Sequence, residues 1–446
     1  MDIDHIATLP PGFTEALTLV TAVDEALMHG LSRLPESVRE SLDTLSGTLS
    51  GSPLSVVVAE AVEQVKRSEF SVSACLGLAA ARSALLGAAA DALRAPLYPE
   101  DASGAAAEGE ASAFPAGNHA PLLSGVQQWL TELAVAGFAQ LTEAQLTPFA
   151  RVLTQLQAVE ELAGQAALLS GFLDELILSN QQKEREGLPA RRWADLWSAA
   201  MLGAQGLDPE PVFQVVNGTL HPCGVDVRAH RSFVQATLWG LLENADGCRV
   251  VRWPFVSWKV SVLTPDENWR LFGESAQRVL AVLAAGEALE ITQAELSAAG
   301  DLRVTGEVKS AGPGNLFTLP APWQPLPPPR AAARHPAHLA ELIRLEKCKI
   351  DGGTVTCGNL TLPLALDRLE GVPDELDEKL LPLVTGMIGL LRWDEGGWRL
   401  QPLALAGTGK LKNGLRIGQG IAARLAKLKT ETLTQLEERA SRLLRA

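Results

Sequence analysis

Between Phe13 and about Ala95 the apolar residues recur at three- and four-residue spacing, broken at LPES (34–37) and GSPLS (51–55). Ser37 with Glu40 three residues on, and Ser52 before Pro53, read as helix starts, so three or four helices are expected. After position 120 the period returns. Leu123, Val126, Leu130 and Leu133 form one stripe, and Val152, Leu156, Val159, Leu162 and Ala166 form another. Thr142 and Thr147 stand before helical runs, and Pro148 sits where a first-turn proline is tolerated. The block reads as an array of helical hairpins without the fixed period of a solenoid. A short helix follows in which Trp193, Trp197 and Met201, at i, i+4 and i+8, share one face suited to packing.

The pattern changes near Val212, where β-branched and aromatic residues take over. Asn217-Gly218 and Asp246-Gly247 predict hairpins, and Pro254 predicts that its strand is an edge or carries a bulge. Helix returns from Pro265 to about Ala285, with strand-like segments at 288–293 and 301–309. A Pro-rich stretch, 319–330, follows, then a second β pattern over about Leu342–Ala406 with turns at Gly352-Gly353 and Gly396-Gly397. GGTVTCGNLTLPLALD echoes NGTLHPCGVDVRAH and reads as a degenerate duplication. Barrel-like units of OB type fit the strand number, and so does a sandwich.

These elements predict an α+β multidomain chain with an all-α front and a β-rich back. The divisions are a helical bundle (1–97), a disordered linker (98–120), a helical array (121–205) and a β-rich unit with one helix (206–318). A Pro-rich linker (319–338), a second β-rich unit (339–408) and a basic amphipathic helical tail (409–446) complete it. Composition changes this picture little, since 47% hydrophobic and 20% charged residues are those of a folded chain. Nine of the ten Trp lie after position 190, separating a plain front from a Trp-bearing back. Five scattered cysteines imply no disulfide framework and point to a reducing cytoplasm. No secretory signal and no membrane span are expected. The net charge of −14 argues against a coat for nucleic acid, although the stretch from Lys410 onward is basic.

No catalytic, cofactor or metal site is expected. His221, Cys223 and His230, or His335, His338, Cys348 and Cys357, lack the short paired spacing of a zinc site. Gly407-Thr408-Gly409-Lys410 lacks the first glycine of a P-loop and its Ser or Thr. Arg228, Arg231, Arg249, Arg252 and Lys259, interleaved with Trp253 and Trp258, are the pattern of a single-strand binder, with phosphate attraction beside base stacking. In the tail, Lys410, Lys412, Arg416, Arg424, Lys427 and Lys429 offer charge to nucleic acid, an acidic partner or the protein's own body.

GTLHPCGVDVRAH through VSWKVSVL, RHPAHLAEL, and GLLRWDEGGWRLQPLAL resemble uncharacterised bacterial accessory proteins. Those proteins are encoded beside SWIM zinc-finger proteins, MoxR-type AAA ATPases and von Willebrand factor A-domain proteins. The resemblance implies an adaptor for such a system and assigns no residue a role. A non-enzymatic cytoplasmic adaptor with protein partners is therefore the expected function, with single-stranded nucleic-acid binding by the β-rich units and tail as the alternative.

Overall fold

Helical period in front and alternation behind produce an α+β chain. The computed structural model describes residues 6, 8–98, 119–181, 189–206, 212–229, 233–259, 272–304, 308–329, 333–369, 376–394 and 396–420. They fall into two compact units. One comprises Met1–Glu210 with Pro329–His338, and the other comprises Pro211–Pro328 with the residues from Leu339 onward.

The helical unit contains α1 (Phe13–His29), α2 (Glu36–Thr48), α3 (Ser55–Lys66), α4 (Val72–Arg94), α5 (Ala120–Ala136), α6 (Glu143–Leu146), α7 (Phe149–Gln157), α8 (Ala163–Gln181) and α9 (Ala190–Gly203). The stripes of the first and second helical blocks meet in one core, so the division at 98–120 separates two halves of one unit. Positions 99–118 of that expected linker lie outside the described residues. Two stretches, Val72–Leu97 and Glu160–Ser179, are long and apolar enough to cross a membrane by length and composition. In α4 that composition serves close packing. Its small residues let α3 approach until a Cβ on Gly77 would lie 2.5 Å from that of Ala61.

The unit contains a duplication that hydrophobic period alone does not reveal. α1 and α5 are each 17 residues long and end at a glycine in the same conformation, Gly30 (φ 94°, ψ 134°) and Gly137 (φ 89°, ψ 131°). A three-residue 3₁₀ turn follows each, Leu31–Arg33 and Phe138–Gln140, and the next helices open at Glu36 and Glu143. Every step repeats at one constant offset. The two glycines also touch reciprocally. A Cβ on Gly30 would lie 2.7 Å from the Ala136 carbonyl, and one on Gly137 2.5 Å from that of His29. Only a residue without a side chain lets two backbones approach so closely at positive φ.

The β unit opens with β1 (Phe213–Ala229), β2 (Phe233–Asn244) and β3 (Gly247–Trp258), then α10 (Gly273–Ala285), β4 (Glu287–Ser297), β5 (Leu302–Arg303) and β6 (Val308–Pro313). The order is β3-β2-β1-β4-β5, with every pair antiparallel and β6 beside β4. Arg252 N–H donates to Gly300 O at 2.9 Å, which brings β3 against the start of β5 and nearly closes the ring. This strand order, with one helix between the third and fourth strands, is that of an OB-type Greek-key barrel. Trp253, Val251, Leu238 and Ile291 fill it, and Val279 and Leu283 of α10 pack into the same core.

The remaining strands are β7 (Glu341–Glu346), β8 (Lys349–Asp351), β9 (Thr354–Cys357), β10 (Leu360–Pro363), β11 (Val384–Asp394), β12 (Gly397–Gly407) and β13 (Leu415–Arg416). They form a four-stranded sheet, β13-β12-β11-β7, and a three-stranded sheet, β10-β9-β8. The four-stranded sheet packs on the outside of the barrel through Trp239, Leu241, Val250, Ile388, Leu390 and Leu403. A buried polar tie crosses the same junction. Arg392, 1% exposed, donates to Asp226 at 2.8 Å and to Gln401 at 2.6 Å, while Gln401 donates to Asp226 at 2.9 Å. The two expected β-rich units are thus one compact body.

Several expectations need correction. Asn217-Gly218 makes no hairpin, because β1 runs through it with a register shift against β4. There Asn217 Oδ1 accepts from Gln293 N–H at 2.7 Å, and Gly218 leaves room for the Glu243 carbonyl. The echo between NGTLHPCGVDVRAH and GGTVTCGNLTLPLALD is not structural, since the first lies along β1 and the second folds back twice through β9 and β10. The Pro-rich 319–338 segment is not a free linker. Gln324 exchanges backbone hydrogen bonds with Cys248 and Val250, covering the β3 edge, and Pro329–His338 belongs to the helical unit. Pro254 sits as expected on the strand at the sheet's edge. The predicted helix start at Pro265 and positions 421–446 of the expected tail lie outside the described residues.

Candidate functional site

Alternation along β2 and β3 decides which residues can meet a ligand. On β2, Val234, Ala236 and Leu238 are buried, while Phe233, Gln235, Thr237 and Trp239 occupy the opposite face. On β3, Val251 and Trp253 point into the barrel, while Arg252, Pro254, Val256 and Trp258 share the outer face. The four-stranded sheet covers this outer face as far as Trp239 and Val250. Beyond them it is open. Trp258 is 72% exposed and Val256 63%. Phe233 pairs with Trp258 across the strands, their rings edge to face at 6.3 Å. In the next row Arg228 of β1, Gln235 and Val256 stand side by side.

Not every residue read from the sequence as part of this surface belongs to it. Arg228 is exposed at the open end, its Nε 3.5 Å from Asp226, and Lys259 follows Trp258 directly. Trp253 is buried in the barrel, because residues five apart in one strand face opposite ways. Arg249 is bound to Gln324 Oε1 at 3.0 Å. Arg252 is held by Asp301 at 2.9 Å and by Ala299 O at 3.1 Å, over the Trp239 ring. Arg231 lies outside the described residues. Phe233, Gln235 and Val256 were missed, although counting back from the Asp246-Gly247 hairpin sets Phe233 opposite Trp258 and Gln235 opposite Val256.

The tail differs from its expected form. Lys410 and Lys412 are exposed at the 3₁₀ turn Gly409–Leu411, but Arg416 is buried in β13 and donates to Glu287 O at 2.9 Å and Gly314 O at 2.7 Å. Burial pushes its pKa down. Arg416 is a strut of the β unit, and a helix does not begin at 409. Arg424, Lys427 and Lys429 lie outside the described residues.

No protein-family model, curated protein or solved structure matches this chain. The open barrel face must therefore be judged on its own chemistry. Among the described residues it offers flat aromatic area, aliphatic area and two cations at its border, Arg228 and Lys259.

A second polar centre lies in the helical unit. Arg82 of α4 donates to Asp24 of α1 at 2.6 Å and lies 2.7 Å from Asp195 of α9, whose Oδ1 is also 3.2 Å from His335 Nε2. Burial pushes the Asp24 carboxyl up to about 6 against the pull of Arg82, and the neighbouring Asp195 adds to the rise. Burial acts on Asp195 in the same sense, but His335 and Arg82 outweigh it and hold that carboxyl low. Arg334 adds a contact to Asp91 at 2.6 Å, so Arg334 and His335 fasten their segment to α4 and α9. Among the described residues no group of three or more His, Cys, Asp and Glu is placed to hold a metal. His221 instead pairs with Glu243 at 3.0 Å.

Proposed function

We propose that the protein is a non-enzymatic cytoplasmic binding protein whose OB-type barrel receives a single-stranded nucleic acid on the open end of its β2–β3 face. The observation that carries this reading is the exposed Trp258, with the half-buried Phe233 edge to face against it and Arg228 in the next row. A ring so exposed is removed from the core and free to stack on a base, which is worth about 1–3 kcal/mol per base. Arg228 and Lys259 supply attraction for the backbone phosphates. Free thiols at all five cysteines accord with a reducing compartment.

Anisotropy of a labelled oligothymidylate, titrated at several salt concentrations, tests the reading. Trp258→Ala is expected to weaken binding about fivefold to a hundredfold while changing stability by less than about 0.5 kcal/mol. Arg228→Ala should lower the slope of log K against log salt by about one. Absence of binding by the unaltered protein even at low salt sinks the proposal.

One observation favours a second reading. Pro254 and Val256 make much of the open face apolar, and the chain carries a net charge of −14, which opposes a polyanion. An adaptor docking a protein partner there, an AAA ATPase or an A-domain protein of the kind the sequence resemblance implies, fits those features. Capture of such a partner from nuclease-treated extract, lost on Val256→Glu, would support this second reading over the first.

A further inference from the structure

We propose that Cys348 and Cys357 are a dithiol site which low-molecular-weight disulfides oxidise to an intramolecular disulfide at the open end of the β8–β9 hairpin. This inference is independent of the binding function. The register carries it. Asp351 faces Thr354 across the Gly352-Gly353 turn, then Ile350 faces Val355 and Lys349 faces Thr356. The ladder ends there, and continuing its register by one step puts Cys348 opposite Cys357. In a hairpin with a two-residue turn the closing pair is hydrogen-bonded, so the pairs alternate and this fourth pair is of the non-hydrogen-bonded kind. Cα atoms in such pairs lie about 4.5 Å apart with both side chains on one face, within the about 4.4–6.8 Å that a disulfide spans.

Burial agrees with the register. Ile350 and Val355 are buried, and Cys348 and Cys357, two residues from each, fall on the same face. Cys348 is fixed where the chain leaves the ladder, by Lys347 at φ 56° and by its own N–H on Thr385 O at 3.0 Å. The Cys357 thiol donates to Glu346 O at 3.0 Å, holding its sulfur against the backbone two residues before Cys348. Charge on Cys357 also contributes to raising the Cys348 pKa, after the larger effect of burial. The other cysteines have no such partner across a ladder. Cys223 and Cys248 stand on β1 and β3, which β2 separates, and Cys75 lies inside the helical core.

Only one of the two thiols is open to solvent, which orders the chemistry. Cys348 is buried and Cys357 is half-buried. The Cys357 thiolate attacks one sulfur of glutathione disulfide, whose S–S bond breaks. One glutathione leaves as thiolate and takes up the released proton. The Cys348 thiolate then attacks Cys357 Sγ and displaces the second glutathione. Two protein thiols lose two electrons and two protons, and glutathione disulfide becomes two glutathiones. Burial pushes Cys348 up to about 11, so at neutral pH the second step waits on a scarce thiolate and quickens roughly tenfold per pH unit.

The full-length reduced protein is incubated with glutathione disulfide, quenched in acid, unfolded, alkylated and mapped by peptide mass. The expected result is a glutathione adduct on Cys357 that converts to a reducible Cys348–Cys357 cross-link, with conversion about tenfold faster at pH 8 than at pH 7. Cys348→Ser should stop at the adduct, and Cys357→Ser should leave Cys348 unmodified. The unaltered protein decides the matter even if a variant fails to fold. A lasting adduct on Cys357 with Cys348 still alkylated, no reaction at either thiol, or a cross-link to another cysteine overturns the proposal.

Discussion

Replacing Gly137 with alanine is expected to destabilise the helical unit by about 2–5 kcal/mol. The added methyl would sit 2.5 Å from the His29 carbonyl, and that neighbour is backbone that no rotamer change can move aside. Overpacking of this kind costs about 1–3 kcal/mol. Alanine at φ 89° adds about 1–2 kcal/mol more. Gly30→Ala should do nearly the same, because the contact is reciprocal. Gly125, within α5 and with open space where an added methyl would point, provides the control: Gly125→Ala should stabilise by about 0.5–1 kcal/mol. Urea unfolding followed by helical circular dichroism measures all three. A loss below about 1 kcal/mol at Gly137 would mean that the backbones do not approach as described.

Arg82→Met is expected to cost about 3–5 kcal/mol, since it leaves the buried Asp24 and the half-buried Asp195 without the cation between them. Acidification should shrink that loss, because protonating the carboxylates removes the stranded charge. The unaltered protein carries a related pH dependence. Asp24 binds its proton more tightly folded than unfolded, so its contribution is complete below about 3.8 and disappears as pH rises through about 6. Asp195, with its pKa lowered, contributes above about 3.8 and is lost only as pH falls below that. Across the window from about pH 4 to 6 the Asp24 contribution alone is changing for this pair, and it falls as pH rises. Asp24→Asn should remove that slope from a plot of urea midpoint against pH. An unchanged slope would place the titration elsewhere.

Local period made much of the fold legible. Trp193, Trp197 and Met201 share the buried face that their spacing predicts, and the helical stripes lie in one core. What escaped was non-local. Asn217-Gly218 carries a turn signature, yet pairing with β4, far along the chain, turned it into a bulge. Gly30 and Gly137 drew no expectation at all, because nothing in either segment announces the other. At the candidate site the residue types were legible and the side of the strand was misjudged. Trp253 and Trp258 are both aromatic beside basic residues, and parity alone separates a core residue from a surface one. Arg416 was read as a solvated tail charge, since its acceptors, Glu287 O and Gly314 O, are backbone atoms invisible to composition.

Arg334 and His335, which hold Asp91 and Asp195, reach the helical unit only after the barrel strands have intervened in the chain. A ribosome therefore releases the helices first, then β1 through β6, and only afterwards the piece that finishes the helical unit, with β7 through β13 still to be made. Until then Asp195 has Arg82 as its cation and lacks the imidazole. Completion of the first-made body is thus deferred until the barrel strands of the second have been made, which ties the maturation of the two together in time.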